Sequence, residues 1–185
     1  MTLPKKPKLY SFWRSSAAFR VRIALNLKGI DYEIIPVHLT KGKGAQFSEE
    51  YSLKNPTHLV PLFDDGICQI HQSLAIIEYL DEVQAKPPLL PDGAADRAWV
   101  RSLAMDITSD IHPINNLRVL RYLVKEIGAT NEAKDIWYQH WIRGKAREMA
   151  CQAPGQFRRT QHSGRRRSIR RAGRGPEKEH PSSGE

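Results

Sequence analysis

Apolar and polar residues alternate in short blocks over the first 84 positions and then settle into a helical period. Leu9-Tyr10-Ser11-Phe12 predicts a short strand, and the polar stretch Arg14-Ser15-Ser16 separates it from a helical pattern. In that pattern Phe19, Ile23 and Leu27 recur every four residues, which predicts an apolar stripe along one helix face, with Gly29 as the stop. Glu33 to His38 reads as a second strand that Pro36 keeps at an edge or near a bulge. After a Gly/Lys loop, Gln46 to Tyr51 predicts a short polar helix. Val60-Pro61-Leu62-Phe63 and Ile67-Cys68-Gln69-Ile70 flank Asp64-Asp65-Gly66, a hairpin signal. A helix opening at Gln72-Ser73 carries Leu74, Ile77 and Leu80 on one side. The order strand–helix–strand, then strand–strand–helix, predicts a small mixed sheet with helices packed on it, a thioredoxin-like α/β domain over residues 7–84.

Ala85 to Gly93, with Pro87, Pro88 and Pro91, reads as a linker. Beyond it Trp99, Leu103, Ile107 and Ile111 form a ladder of four-residue steps that Pro113 interrupts. Leu117, Leu120 and Leu123 start a second stripe, and Ile136, Trp137 and Trp141 mark a third helix. Residues 94–144 therefore predict a partial all-helical domain. From Lys145 the large apolar residues thin to Met149, Phe157 and Ile169, and arginines fall among Gly, Ser and Pro. Such a segment offers too little apolar surface to offset about 1–2 kcal/mol per residue of backbone ordering entropy, so 145–185 reads as a disordered basic tail.

Charge sharpens this division. The net charge of +9 invites a nucleic-acid reading, but residues 145–185 hold 11 of the 29 Lys+Arg and only 4 of the 20 Asp+Glu. The tail accounts for +7, and residues 1–144 are close to neutral at +2. A basic arm on RNA, DNA or an anionic surface is the alternative to a solvated tail. The tail lacks aromatic interleaving apart from Phe157, which favours the solvated tail. No apolar run approaches the roughly 20 residues that cross a membrane. The N-terminus has no signal-peptide pattern, and Cys68 and Cys151 are too few and too far apart for a disulfide framework or zinc site. A cytoplasmic protein is expected.

Three places hold candidate chemistry. Ser15-Ser16 lies between strand and helix, where unpaired amides and the helix dipole favour a thiolate that a hydroxyl also donates to. From spacing alone, an ordinary N-cap is the simpler reading of a serine there. Pro61 heads a strand, and a cis bond at Val60-Pro61 would aim the backbone ahead of it at a ligand, although trans is the commoner form. Gln72-Ser73 opens a helix and is a seat for a carboxylate, or again a plain cap.

Taken together, the segments Ser15-Ser16-Ala17-Ala18-Phe19-Arg20-Val21-Arg22-Ile23-Ala24-Leu25, Asn55-Pro56, Val60-Pro61 and Ile70 to Leu80 resemble the zeta-class glutathione transferases. That class includes maleylacetoacetate isomerase and maleylpyruvate isomerase. Asp110 to Arg118 resembles the bacterial members, and the likeness runs from about Lys8 to Trp141. The resemblance implies glutathione as cofactor, with Ser15 and Ser16 holding its sulfur as thiolate. Val60, ahead of a cis Pro61, would pair with its cysteinyl backbone. Gln72 and Ser73 would hold its γ-glutamyl carboxylate, with Gln46 near its glycine end. His112, Asn116 and Arg118 would approach from the helical domain, at the substrate side or at a partner subunit's glutathione. Arg20 and Arg22 are either cations for a dicarboxylate or structural charges. Tyr10 is a weaker candidate for the hydroxyl donor.

The implied activity is glutathione-dependent cis–trans isomerisation of a maleyl keto-acid in the catabolism of aromatic compounds, carried out by a homodimer. Conjugation or dehalogenation of small electrophiles is a second reading, and a non-catalytic binding module or inactive truncated homologue a third. Two departures stand out. Many members have cysteine where this chain has Ala17. The family also continues with further helices, one opened by a Ser/Thr-x-x-Asp capping box, and nothing after Gly144 matches them. A shifted reading frame between about Trp141 and Ala150 would produce that switch.

Overall fold

The computed structural model describes residues 5–151, with side chains through residue 144. Strands β1 (Lys8–Ser11), β2 (Glu33–Pro36), β3 (Leu62–Asp64) and β4 (Gln69–His71) form one sheet in the order β2-β1-β3-β4. β1 runs parallel to β2, pairing Leu9 with Ile34, and antiparallel to β3, pairing Leu9 with Phe63. β3 and β4 form the expected hairpin, with Phe63 opposite Ile70. Pro36 sits on the edge strand, where its missing N–H leaves no ladder bond unmade.

Alternation along the strands sends side chains to two faces. Leu9 and Phe63 join Val21, Ala24 and Leu25 of helix α1 (Ser16–Leu27) and Ile76 and Leu80 of helix α3 (Ser73–Val83) in one core. Tyr10 and Leu62 point the other way and meet Val37 and Tyr51, the latter from helix α2 (Glu49–Lys54). A single 3₁₀ turn, Ala45–Phe47, precedes α2, so the polar helix expected from Gln46 to Tyr51 is split in two at Ser48, which caps α2 by accepting from the Tyr51 amide. The sheet is thus covered on both faces, in the thioredoxin-like arrangement.

The face that α1 buries differs from the expected stripe. Phe19, Ile23 and Leu27 are 54, 43 and 59 % exposed, whereas Ala17, Ala18, Val21, Ala24 and Leu25 are buried. The buried set follows steps of three and four residues, 17–21–24 and 18–21–25, and its small side chains fit α1 between the sheet and α3. The large residues stand on the flank. There Ile23 and Leu27 line an apolar groove of about 360 Å³ with Leu74, Ile77, Val100 and Ile107. Gly29 ends the helix at φ +64, and the Ile30 amide returns to the Leu25 carbonyl, a closure that needs the left-handed backbone glycine adopts without penalty.

The second half is helical, as expected. Helix α4 (Ala94–Met105) runs on through a π-helical segment, Asp106–Ile111, into the single turn α5 (His112–Ile114). α6 (Leu117–Lys125) is capped by the Asn116 side chain, which accepts from the Arg118 amide. α7 (Asn131–Cys151) begins before the expected third helix and continues past Gly144, so the helical backbone outlasts the loss of apolar period by seven residues. The remainder of the basic tail, and the reading-frame interpretation of it, lie outside the described residues. No residue of α4 through α6 is fully buried, so both closed cores belong to the first half. Among the described residues no helix is long and apolar enough to cross a membrane, and no cluster of metal-ligating side chains occurs.

Candidate functional site

The turn from β1 into α1 divides two neighbouring serines between different tasks. Ser15 is the N-cap: its backbone is extended, at φ −74 and ψ 113, and its Oγ accepts from the Ala18 amide at 3.2 Å. Ser16 is the first helical residue. It cannot cap, and its exposed Oγ lies 3.1 Å from Nδ1 of His112, in the helical half. Ser15 is thus the cap, with its own hydroxyl proton still available, and Ser16 is tied to the helical half. Both serines line a cavity of about 450 Å³ with Phe12, Arg14, Arg20 and His112.

A second cavity, of about 530 Å³, opens beside it between α3 and α4. Val60-Pro61 lines it, and the Val60–Pro61 bond is cis. The loop ahead of it is pinned at the Leu59 carbonyl, which accepts from the Tyr51 hydroxyl at 2.6 Å and the Asn55 amide nitrogen at 2.7 Å. Gln72 and Ser73 form the opposite lip. Gln72 has φ 72, a conformation that costs a non-glycine residue on the order of 1–3 kcal/mol and persists where surrounding structure demands it. Its side chain makes no capping bond, so the strain serves no helix cap. Ser73, buried, accepts at Oγ from both Nε and a terminal nitrogen of Arg20, each at 3.1 Å. With both of those donors occupying its lone pairs, the Ser73 hydroxyl is left to donate elsewhere.

The helical half supplies one wall. His112, Asn116 and Arg118 line the second cavity, and His112 and Asn116 also line the first. Burial, and then repulsion from the Arg20 guanidinium, hold the His112 imidazole below its ordinary pKa, so the ring is neutral at neutral pH. Burial also lowers the Arg20 pKa, although arginine keeps its charge. The cavity at the serines is lined by Arg14 and Arg20 and by no described carboxylate. Its chemistry suits an anion, with a thiolate stabilised at the start of α1.

Three of the residues expected from the sequence stand elsewhere. Gln46 lines neither cavity; it is buried beside Gly44 with Oε1 unpartnered. Arg22 lies over the Phe19 ring and donates to the Trp13 carbonyl at 3.3 Å, a structural role. Tyr10 is part of the core against Tyr51, away from both cavities. Ala17, at the position of the missing cysteine, is buried and lines the second cavity. Arg14 and Leu59 are lining residues the sequence did not single out for chemistry. The link from Ser16 to His112 spans 96 residues, and no local signal marks it.

The chain is similar in sequence and fold to known proteins. The model of the glutathione S-transferase N-terminal domain matches residues 5–82. A probable maleylacetoacetate isomerase of Vibrio cholerae is 53 % identical over 134 residues, 72 % of this chain and 62 % of that protein. The holo structure of a maleylpyruvate isomerase, described as a bacterial zeta-class enzyme, is 47 % identical with a TM-score of 0.73, covering 76 % of this chain and 66 % of that one. The maleylacetoacetate isomerase of Methylobacterium extorquens, solved with bound malonate and glutathione, is 37 % identical with a TM-score of 0.76, covering 81 % of this chain and 70 % of its own. The chain spans about three fifths of the length of the curated relatives it matches. Fold, motif and identity together place it in the glutathione S-transferase family, within the zeta class.

Proposed function

We propose that this chain is built for glutathione-dependent cis–trans isomerisation of a maleyl keto-acid, maleylacetoacetate or maleylpyruvate. The observation that carries the reading is the continuity of the two cavities. They share Arg20, Leu59, Val60, His112 and Asn116, so a peptide held by Val60 and Gln72-Ser73 reaches the serines at the start of α1. The donor set fits glutathione: the Val60 backbone at the cavity wall beside a cis bond, a hydroxyl at Ser73 free to donate to a carboxylate, and the Ser15 hydroxyl at a helix start for the sulfur.

When bound, glutathione supplies a thiolate that adds to the activated cis double bond, leaves a rotatable single bond, and departs unchanged as the trans double bond reforms. In this reading Ser15 donates its hydroxyl proton to the sulfur, and the α1 terminus stabilises its negative charge. Gln72 and Ser73 hold the γ-glutamyl carboxylate, with Arg20 behind Ser73 adding charge. Arg14 and Arg20 hold the dicarboxylic acid in the cavity they line. The reading includes a cytoplasmic homodimer.

The test is turnover of each maleyl substrate by the purified chain, with glutathione measured before and after. Formation of the fumaryl product with glutathione unchanged is the expected outcome. Stoichiometric loss of glutathione would instead indicate a conjugating transferase. Failure to bind glutathione would overturn the assignment and leave a binding module.

A further inference from the structure

Of the two serines at the start of α1, Ser16 is the one joined to the helical half among the described residues, and its partner is a histidine on the boundary between the cavities. Resting on the glutathione reading above, we propose that His112 contacts the acid in the serine cavity through a protonated Nε2, and that Ser16 is the positioning residue holding the ring in that tautomer.

The argument begins with protons. A neutral imidazole has one donor and one acceptor nitrogen, and the bond made by one decides the state of the other. Ser16 Oγ has one hydrogen-bond partner among the described residues, His112 Nδ1. If the hydroxyl donates to Nδ1, the ring proton lies on Nε2, and the hydrogen bond that His112 makes among the described residues runs through Nδ1. The opposite tautomer would present a lone pair at Nε2 to whatever fills the cavity. Arg14 and Arg20 make that cavity a place for anions, and an anion repels a lone pair but accepts from an N–H. Ligand and Ser16 thus select the same tautomer.

Position supports the same division. Ser15 Oγ accepts from the Ala18 amide, and its own proton has no acceptor among the described residues, so one serine suffices for the sulfur. Arg20 of α1 is the charged group that repels a protonated His112. His112 itself sits at the first position of α5, directly after the π-helical segment, a deviation from α-geometry that shifts the phase of every following side chain. That shift falls where Ile111 and His112 enter the cavity wall.

The test compares two ligands by calorimetry on the full chain at neutral pH: glutathione, and S-(1,2-dicarboxyethyl)glutathione, which carries a dicarboxylic acid on the same sulfur. His112→Leu should weaken the dicarboxyethyl compound by about tenfold, the size of one lost hydrogen bond, and glutathione by less than about twofold. His112→Gln places an amide nitrogen near the position of Nε2 and should restore most of the loss. His112→Asn reaches only as far as Nδ1 and should not. Ser16→Ala should give an intermediate loss, and ¹⁵N NMR of the ring should show the Nε2–H tautomer in the parent chain and a mixture in Ser16→Ala. Equal weakening of both ligands by His112→Leu, rescue by Asn as complete as by Gln, or an Nδ1–H ring would each overturn the inference. No binding of glutathione by the parent chain would overturn the functional reading itself, and this inference with it.

Discussion

Lys28 carries a charge on a side chain with no exposed surface. It is bonded to Asp81 and donates to the carbonyls of Gln84 and Pro87, each at 2.6 Å, while Gln84 returns a bond to the Lys28 carbonyl. All three ammonium protons are thereby used, and the end of α1 is tied to α3 and to the linker that leads into the helical half. Lys28→Met should cost about 3–5 kcal/mol by urea denaturation, because it leaves a largely covered carboxylate and two carbonyls without their cation. A cost under about 1 kcal/mol would show that water replaces the ammonium. The Asp81 carboxyl itself records the balance of forces. Burial pushes its pKa up, but the bonds from Lys28 and the Leu89 amide prevail and hold it below its ordinary 3.8. Asp65 behaves in the same way: burial is outweighed by the Tyr79 hydroxyl and the amides of Cys68 and Ile67. Each group binds its proton more readily in the unfolded chain. Their stabilisation is therefore complete above the ordinary value and is lost as the pH falls through the lowered folded values. Urea midpoints should be steady above about pH 5 with respect to these groups and fall below about pH 4, and Asp81→Asn should flatten that fall. An unchanged slope in the variant would remove Asp81 from the account.

At the scale of elements, helix α1 separates what periodicity reveals from what packing decides. Counting apolar residues finds the helix and its ends, but it selects the wrong face, since the largest residues recur every four positions on the flank. The buried face is marked by small side chains, Ala17, Ala18 and Ala24, whose value lies in letting the helix sit close to the sheet and α3. Leu25→Ala should accordingly cost about 2–5 kcal/mol, while Leu27→Glu should stay within about 0.5 kcal/mol, measured by urea denaturation of each. The reverse order would restore the four-residue stripe as the core. The same limit applies to the site. Ser15-Ser16, Val60-Pro61 and Gln72-Ser73, which line the cavities, stand out in the sequence because each sits at a junction of strand, turn and helix, where the signal is local. Arg20 left two readings open from the sequence, and its bonds to Ser73, 53 residues away, bring it to the cavity. Arg22, two residues along the same helix, turns by about 200° and falls outside. The Ser16–His112 contact depends on how two halves of the chain meet and on a π-helical segment, and neither leaves a periodic trace.

Over the whole molecule the two halves are held by different means. The first half closes two apolar cores around its sheet, and Leu9, Val21, Leu25, Phe63, Ile76 and Leu80 are almost wholly inaccessible. The second half has long hydrogen-bonded helices but no fully buried residue in α4 through α6, and Met105, Tyr122, Ile127 and Ile136 remain largely exposed. Polar links to the first half among the described residues include Arg101 to Glu78 at 2.6 Å, with both side chains partly exposed, Arg121 to the Leu39 carbonyl at 3.4 Å, and Ser16 to His112. An exposed ion pair contributes at most about 1 kcal/mol, so these contacts orient the halves more than they stabilise them. Local opening follows the density of buried apolar contacts. Amide hydrogen exchange should therefore rank the chain in two tiers, with β1, β3, α1 and α3 opening only near the global unfolding free energy and α4 and α6 exchanging through lower-energy openings. Glutathione, if its binding joins Val60 and Ser73 to the wall carrying His112 and Asn116, should raise protection of α5 and the start of α6 more than that of β1, which is already near its limit. Uniform protection in both halves would mean that the helical half is as cooperative as the sheet, and that its exposed apolar residues are covered in solution by another molecule.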